Sequence, residues 1–338
     1  MKRETKTLID TDTGEIIENV VSFTTAKQDD YLKEGNRIKK ERANYVSKYG
    51  NFYFMTYPDE RNTYSEDVKH IDSARLIYLA SFMDYDTILK HDNGMILRKE
   101  DLMNLLGLSK NIFYEFYNRV VALGVLIEND DYSISVNEGK FIKGKIDTKN
   151  EYTRLFIHAV RTLYENCTAK QHKHLGKIYD LIPYVNYKHN ILCSNPHERS
   201  YELIINLTLA DINNVFGFTK MRIKEVIGIL SEFKINSPKG EMNVFSYVSV
   251  DGDIENSKIM VNPLLMFSGL TTDMERVVLL FTQNQRAVAQ KLKGTPERKA
   301  LKDGLERNRL KSLKQREANK VKKINADNQD KIAGNQGK

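Results

Sequence analysis

The sequence predicts an α+β protein, mainly α, in which one helix-rich unit occurs twice and is followed by a basic tail. Three observations carry that prediction. The segment LRKEDLMNLLGLSK (97–110) aligns without gaps on LTLADINNVFGFTK (207–220). Each of these segments sits between a stretch of helical apolar spacing and a pair of short β-rich runs. The last 48 residues hold 15 basic and 6 acidic side chains, which leaves 37 basic and 39 acidic in the first 290.

The chain has 338 residues, which suggests about two domains. Its apolar runs are far shorter than the ~20 residues that span a bilayer, so no membrane segment is expected. The opening MKRETKTLIDTDTGE has no apolar core of the kind a secretory signal needs, and with only Cys167 and Cys193 present a reducing, cytoplasmic setting is the simpler expectation.

In chain order, TKTLIDTDTGEIIENVVSF reads as a hairpin turned at Asp-Thr-Gly, Thr25 to Lys48 as a linker or surface helix, and Phe52 to Phe54 as a buried strand. From Ile71 to Met83 the apolar residues recur at helical spacing. After Asp92-Asn-Gly94, a strand from Met95 to Leu97 precedes helices Arg98 to Leu106 and Ser109 to Leu123. Val125 to Ile127 and Tyr132 to Val136 then form two β-rich runs around Asn129-Asp-Asp131. Helix, strand, helix, tight turn, helix and a two-stranded wing is the order of a winged helix-turn-helix. The second half repeats it, with Asp211 for Asp101, Gly217 for Gly107 and Thr219 for Ser109, the last expected to cap the next helix. Ile77-Tyr78 matches Ile178-Tyr179, and VNEGKFIKG (136–144) matches VNPLLMFSG (261–269). The second wing is longer, about Val244 to Val261, with an acidic tip at Asp251 to Asn256.

The predicted divisions are an N-terminal hairpin and linker (1–66), a first winged-helix domain (67–147), a spacer helix (148–167), a second winged-helix domain (168–282) and a basic, partly disordered tail (283–338). TRLFIHAVRTLYENC, Thr153 to Cys167, supplies the spacer's amphipathic pattern, and Met274 to Phe281 a closing helix.

In this arrangement the second helix of each pair meets base edges in the major groove through its N-terminal end. The first repeat offers Ser109, Lys110, Asn111, Tyr114 and Asn118, with a core stripe of Ile112, Phe116, Val120 and Leu123. The second offers Thr219, Lys220, Arg222 and Lys224, with a core stripe of Ile223, Val226, Ile227 and Leu230. Asn111 and Asn118 suit adenine, and the more basic second set suits phosphate, so base discrimination is assigned to the first repeat and phosphate affinity to the second. The basic tail reads as a phosphate clamp, as a solubilising terminus, or as a helix that pairs with a second copy in a homodimer.

Cys167, His172, His174, His189, Cys193 and His197 are six metal-ligand types in about thirty residues, but their spacing matches no compact zinc pattern, and no metal or cofactor is expected. His172-Lys-His174 departs from the His-hydrophobic-His pair of rolling-circle nicking enzymes in its middle residue and its helical surroundings. The sequence also lacks a GxxxxGK[ST] phosphate loop, so no ATPase or helicase is expected, and its 18 scattered tyrosines have no activating neighbour, so the expectation is a non-enzymatic protein.

The opening LIDTDTGEIIE, the NFYFMTY segment and a winged helix closed by an asparagine and a glycine-ended stretch resemble the small replication-initiator family of Gram-positive plasmids, phages and mobile elements. This chain carries two copies where that family has one, and its order of elements is similar to that of the tandem winged-helix initiators of iteron plasmids. The resemblance implies double-stranded DNA as partner, together with host replication proteins. A transcriptional regulator of the same fold, partnered by RNA polymerase, and a protein-binding adaptor are the competing expectations.

Overall fold

The computed structural model describes residues 6–9, 13–20, 26–57, 68–146, 151–237, 240–248 and 258–291. It is an α+β structure, roughly half helical, with small antiparallel sheets. No described helix is long and apolar enough to cross a membrane.

Strands β1 (Lys6–Ile9) and β2 (Ile16–Val20) form the N-terminal hairpin, and α1 (Ala26–Tyr49) follows as a largely exposed helix stitched by Lys33–Asp29 and Arg37–Glu41 pairs. The first repeat comprises β3 (Phe52–Tyr57), α2 (His70–Ala80), α3 (Lys99–Leu106), α4 (Lys110–Ala122), the hairpin β4 (Leu126–Glu128) and β5 (Ile134–Val136), and β6 (Phe141–Ile142). The second comprises β7 (Glu151–Phe156), α5 (Ile157–Asn166), α6 (Ala169–Tyr179), α7 (Leu209–Val215), α8 (Ile223–Glu232), hairpin β8 (Lys234–Ser237) and β9 (Gly240–Asn243), hairpin β10 (Phe245–Val248) and β11 (Lys258–Val261), and β12 (Met266–Phe267). Helix α9 (Met274–Lys291) closes the described chain.

The two repeats share one sheet, in the order β12-β7-β3-β6. Its register is two-fold symmetric. Phe54 lies opposite Arg154 in the central pair, Met55 pairs with Phe141 on one side, and Leu155 pairs with Met266 on the other. An approximate two-fold axis between Phe54 and Arg154 therefore carries β3 onto β7 and β6 onto β12. Small loop details repeat as well. The bridge Ile88↔Ser135 has its counterpart in Ile191↔Met260. Thr87 and Asn190 both adopt positive φ, and their carbonyls accept from Val136 and Val261 amides. Asn137 donates through Nδ2 to the Gly124 carbonyl at 2.8 Å, and Asn262 donates to Asn243 at 3.0 Å.

Helices α2 and α6 pack directly on one another at the centre. Leu76, Ile77 and Leu79 of α2 are fully buried, because α2 meets α6, α5 and its own repeat on different sides. The crossing is close enough that a Cβ at Gly176 would lie 1.6 Å from the His70 carbonyl oxygen, so only glycine fits. One continuous apolar cluster runs through both repeats.

Several expectations are corrected. The spacer helix does not begin at Thr153, because Glu151 to Phe156 is strand β7 and the helix starts at Ile157. Tyr152 to Phe156 are buried at every position, so the segment has no strand alternation, and its pairing with β3 decides its form. Met95 to Leu97 forms only the isolated bridge Lys90↔Ile96. Ile112 is 48% exposed and Phe113 takes its place in the core stripe. The expected acidic wing tip at Asp251 to Asn256, and the tail beyond Lys291, lie outside the described residues.

Candidate nucleic-acid interface

In the first repeat, the Asp101 carboxylate accepts the Arg98 amide at 2.8 Å and opens α3. Gly107, at φ +62°, closes α3 in the left-handed region, with the Leu108 amide reaching back to Met103. Ser109 then stands at the N-cap of α4, although its hydroxyl makes no capping bond. Phe113, Phe116, Tyr117 and Val120 point into the core. Ser109, Lys110, Asn111 and Asn118 are exposed, and the last three side chains hold no partner among the described residues. Tyr114 is half-buried beneath the Lys99 ammonium, 5.5 Å from its ring centroid.

The orientation of α4 is fixed from behind. Arg119 donates to Asp72 of α2 at 2.8 Å, and Asp72 also accepts from Arg75 at 3.1 Å. The Asp72 carboxylate is fully buried, so both guanidiniums are needed to offset its desolvation. Beside α4, the β4–β5 turn is held by Arg98, which donates to the Asp131 carbonyl, and by the Asp131 carboxylate. The Ser133 hydroxyl and amide donate to that carboxylate and hold it below the usual carboxylate range.

The second repeat is built differently at the corresponding point. Thr208 caps α7 by accepting the Asp211 amide at 3.1 Å, and Gly217 turns the chain at φ +67°. The expected cap at Thr219 is corrected: α8 begins at Ile223 with Arg222 as its N-cap, so Thr219, Lys220, Met221 and Arg222 are exposed residues of the turn before it. The cause is Asn213, which replaces Met103 of the first repeat. Its Oδ1 accepts the Arg222 amide at 2.9 Å and its Nδ2 donates to the Phe218 carbonyl at 3.3 Å, holding the intervening residues out of the helix. Lys224 lies exposed on the first turn of α8. Arg222 shares its charge with Glu225 at 3.1 Å, whereas Lys220 and Lys224 are unpaired among the described residues.

Behind this turn, Lys177 of α6 is 4% exposed. It donates to the Phe216 carbonyl at 2.7 Å and lies 3.5 Å over the Phe218 ring. Burial, and then repulsion from Lys173, push its ammonium down to about 8. His174 contacts Glu232 at 2.6 Å and ties α6 to the far end of α8. Sequence reasoning missed Asp72, Arg119, Asn213 and Lys177. The one available signal was a charged or amide residue at an otherwise apolar helical position.

The six Cys and His residues noted in the sequence do not converge: His172 contacts the Tyr164 carbonyl, His189 the Arg199 carbonyl and His197 the Glu151 carboxylate. Among the described residues no three His, Cys, Asp or Glu side chains are placed to share a metal ion. Comparisons with protein-family models, curated proteins and solved structures find no match to this chain.

Proposed function

We propose that this chain is a sequence-specific double-stranded DNA-binding protein in which each repeat acts as a winged helix-turn-helix, and that it serves as a plasmid or phage replication initiator. One observation carries the reading. Two equivalent helix-turn-helix corners, 107–111 and 217–224, present exposed and mostly unpaired polar side chains on a frame whose joining sheet and α2–α6 contact are buried. Exposed Lys, Arg and Asn at the start of such a helix are the side chains that meet phosphates and base edges. The fixed backing of α4 by Asp72 and of the α8 turn by Asn213 supports a role in which those ends must be held at a set angle. The initiator role rests on the sequence resemblance, and DNA binding rests on the corners themselves.

The test is selection of bound fragments from a random double-stranded DNA pool with the full chain, at low and near-physiological salt. Enrichment of a defined site that maps to a replication origin is the expected result. A site confined to a promoter would replace the initiator by a regulator. Absence of salt-dependent binding would remove the DNA reading and leave a protein-binding adaptor.

A further inference from the structure

We infer that the DNA site is an imperfect inverted repeat, each half read by one repeat of a single chain. This rests on the DNA-binding reading above and specifies its substrate. The shared sheet sets the operator: the central pair Phe54↔Arg154, flanked by Met55↔Phe141 and Leu155↔Met266, is the register of a two-fold axis. The same rotation carries the Ile88↔Ser135 bridge onto Ile191↔Met260, and the Asn137 clamp onto the Asn262 clamp. Everything between these points, including the two corners, therefore turns over from one repeat to the other. B-DNA has two-fold axes perpendicular to its length, and two reading heads related by such an axis meet the two strands in opposite senses. That is how a symmetric dimer reads a palindrome. A direct repeat would require the heads to be related by translation along the duplex, which this register excludes.

The two half-sites are not identical in sequence. The first corner presents Lys110 and Asn111 from within α4, whereas the second presents Lys220 and Arg222 from the turn before α8. Hairpin β8–β9 lies between α8 and the second wing and has no counterpart between α4 and β4. A single chain thus reads a two-fold site with a built-in polarity, and the half-site centres fall about one helical turn of 10–10.5 base pairs apart, or a whole multiple of it.

The experiment takes the site selected from the random pool and measures the affinity of the full chain for three duplexes. These are the selected site, the same site with one half reversed into direct orientation, and the first half alone. Reversal is expected to weaken binding at least about a hundredfold, to the level of the single half, because two or more base contacts are lost at once. The pair Asn111→Ala and Asn118→Ala is expected to relax base preference in one half only. A selected site without inverted halves, or equal affinity for the reversed duplex, would overturn the inference while leaving DNA binding intact. Failure to enrich any site would remove the reading beneath it, and the inference with it.

Discussion

The two repeats share an outline but hold α4 and α8 in different ways. In the first, α4 is tied to α2 by a buried carboxylate between two arginines, and its N-terminus is an ordinary helix start. In the second, α8 is more apolar, its N-terminus is delayed by an asparagine, and the charge behind it is a single lysine donating to a carbonyl. The position of Asp72 in α2 is occupied by exposed Lys173 in α6, and that of Arg75 by Gly176, where the two helices touch. The close approach to His70 leaves no room for a side chain at Gly176, whereas Arg75 at the equivalent position of α2 turns to Asp72 and to the Phe116 ring of its own repeat.

The largest test of that comparison is Asp72→Ala against Lys173→Ala. Removing Asp72 leaves Arg75 and Arg119 without their carboxylate and is expected to cost about 3 kcal/mol, whereas the exposed Lys173 is expected to change stability by less than about 0.5 kcal/mol. Urea midpoints decide it, and equal effects would show that the ion cluster does not anchor α4. Next is the pH response of Lys177. Its folded pKa lies below that of an ordinary lysine, so the unfolded chain binds more protons, and stability should rise between about pH 8 and pH 10. The gain is on the order of 2 kcal/mol. Buried Tyr45, whose hydroxyl is pushed up to about 12 by burial, acts in the opposite sense above pH 10. Lys177→Met should flatten the window between 8 and 10; a slope shared by both proteins would assign it elsewhere.

On DNA, Lys220→Ala, Arg222→Ala and Lys224→Ala together should lower the slope of log affinity against log salt by about 2 to 3. Asn111→Ala with Asn118→Ala should leave that slope in place and cost about 1–3 kcal/mol only at the preferred base. Titrations at several salt concentrations separate the two, and identical profiles would refute the expected assignment of base discrimination to the first repeat and phosphate affinity to the second. Asn213→Met installs the first repeat's residue in the second. It should cost about 1–2 kcal/mol and change amide exchange protection at 220–222, because the acceptor for the Arg222 amide is lost. The smallest contrast concerns the caps: Thr208→Ala should cost about 1 kcal/mol, and Ser109→Ala almost nothing, since only Thr208 makes its capping bond.

The linear code determined the repeat, the order of elements within it and the two glycine turns, because hydrophobic periodicity and turn chemistry act over a few residues. Gly107 and Gly217 adopt the positive φ that their spacing implied, and Lys110, Asn111, Lys220 and Lys224 are exposed as their polarity implied. What tertiary structure alone decided was how the two repeats meet. Thr153 to Phe156 reads in the sequence as the start of the spacer helix, but pairing with β3 makes it a strand, and the spacer thereby becomes part of a shared sheet. The start of α8 was equally hidden. It depends on one amide side chain, that of Asn213, which binds the Arg222 amide nine residues on and the Phe218 carbonyl five residues on. Asp72 and Arg119 stand 47 positions apart in sequence. Local pattern reports what each segment prefers, but the partners that satisfy a buried charge, a strand edge or a loose amide are chosen by the fold, and those partners set the placement of the two corners.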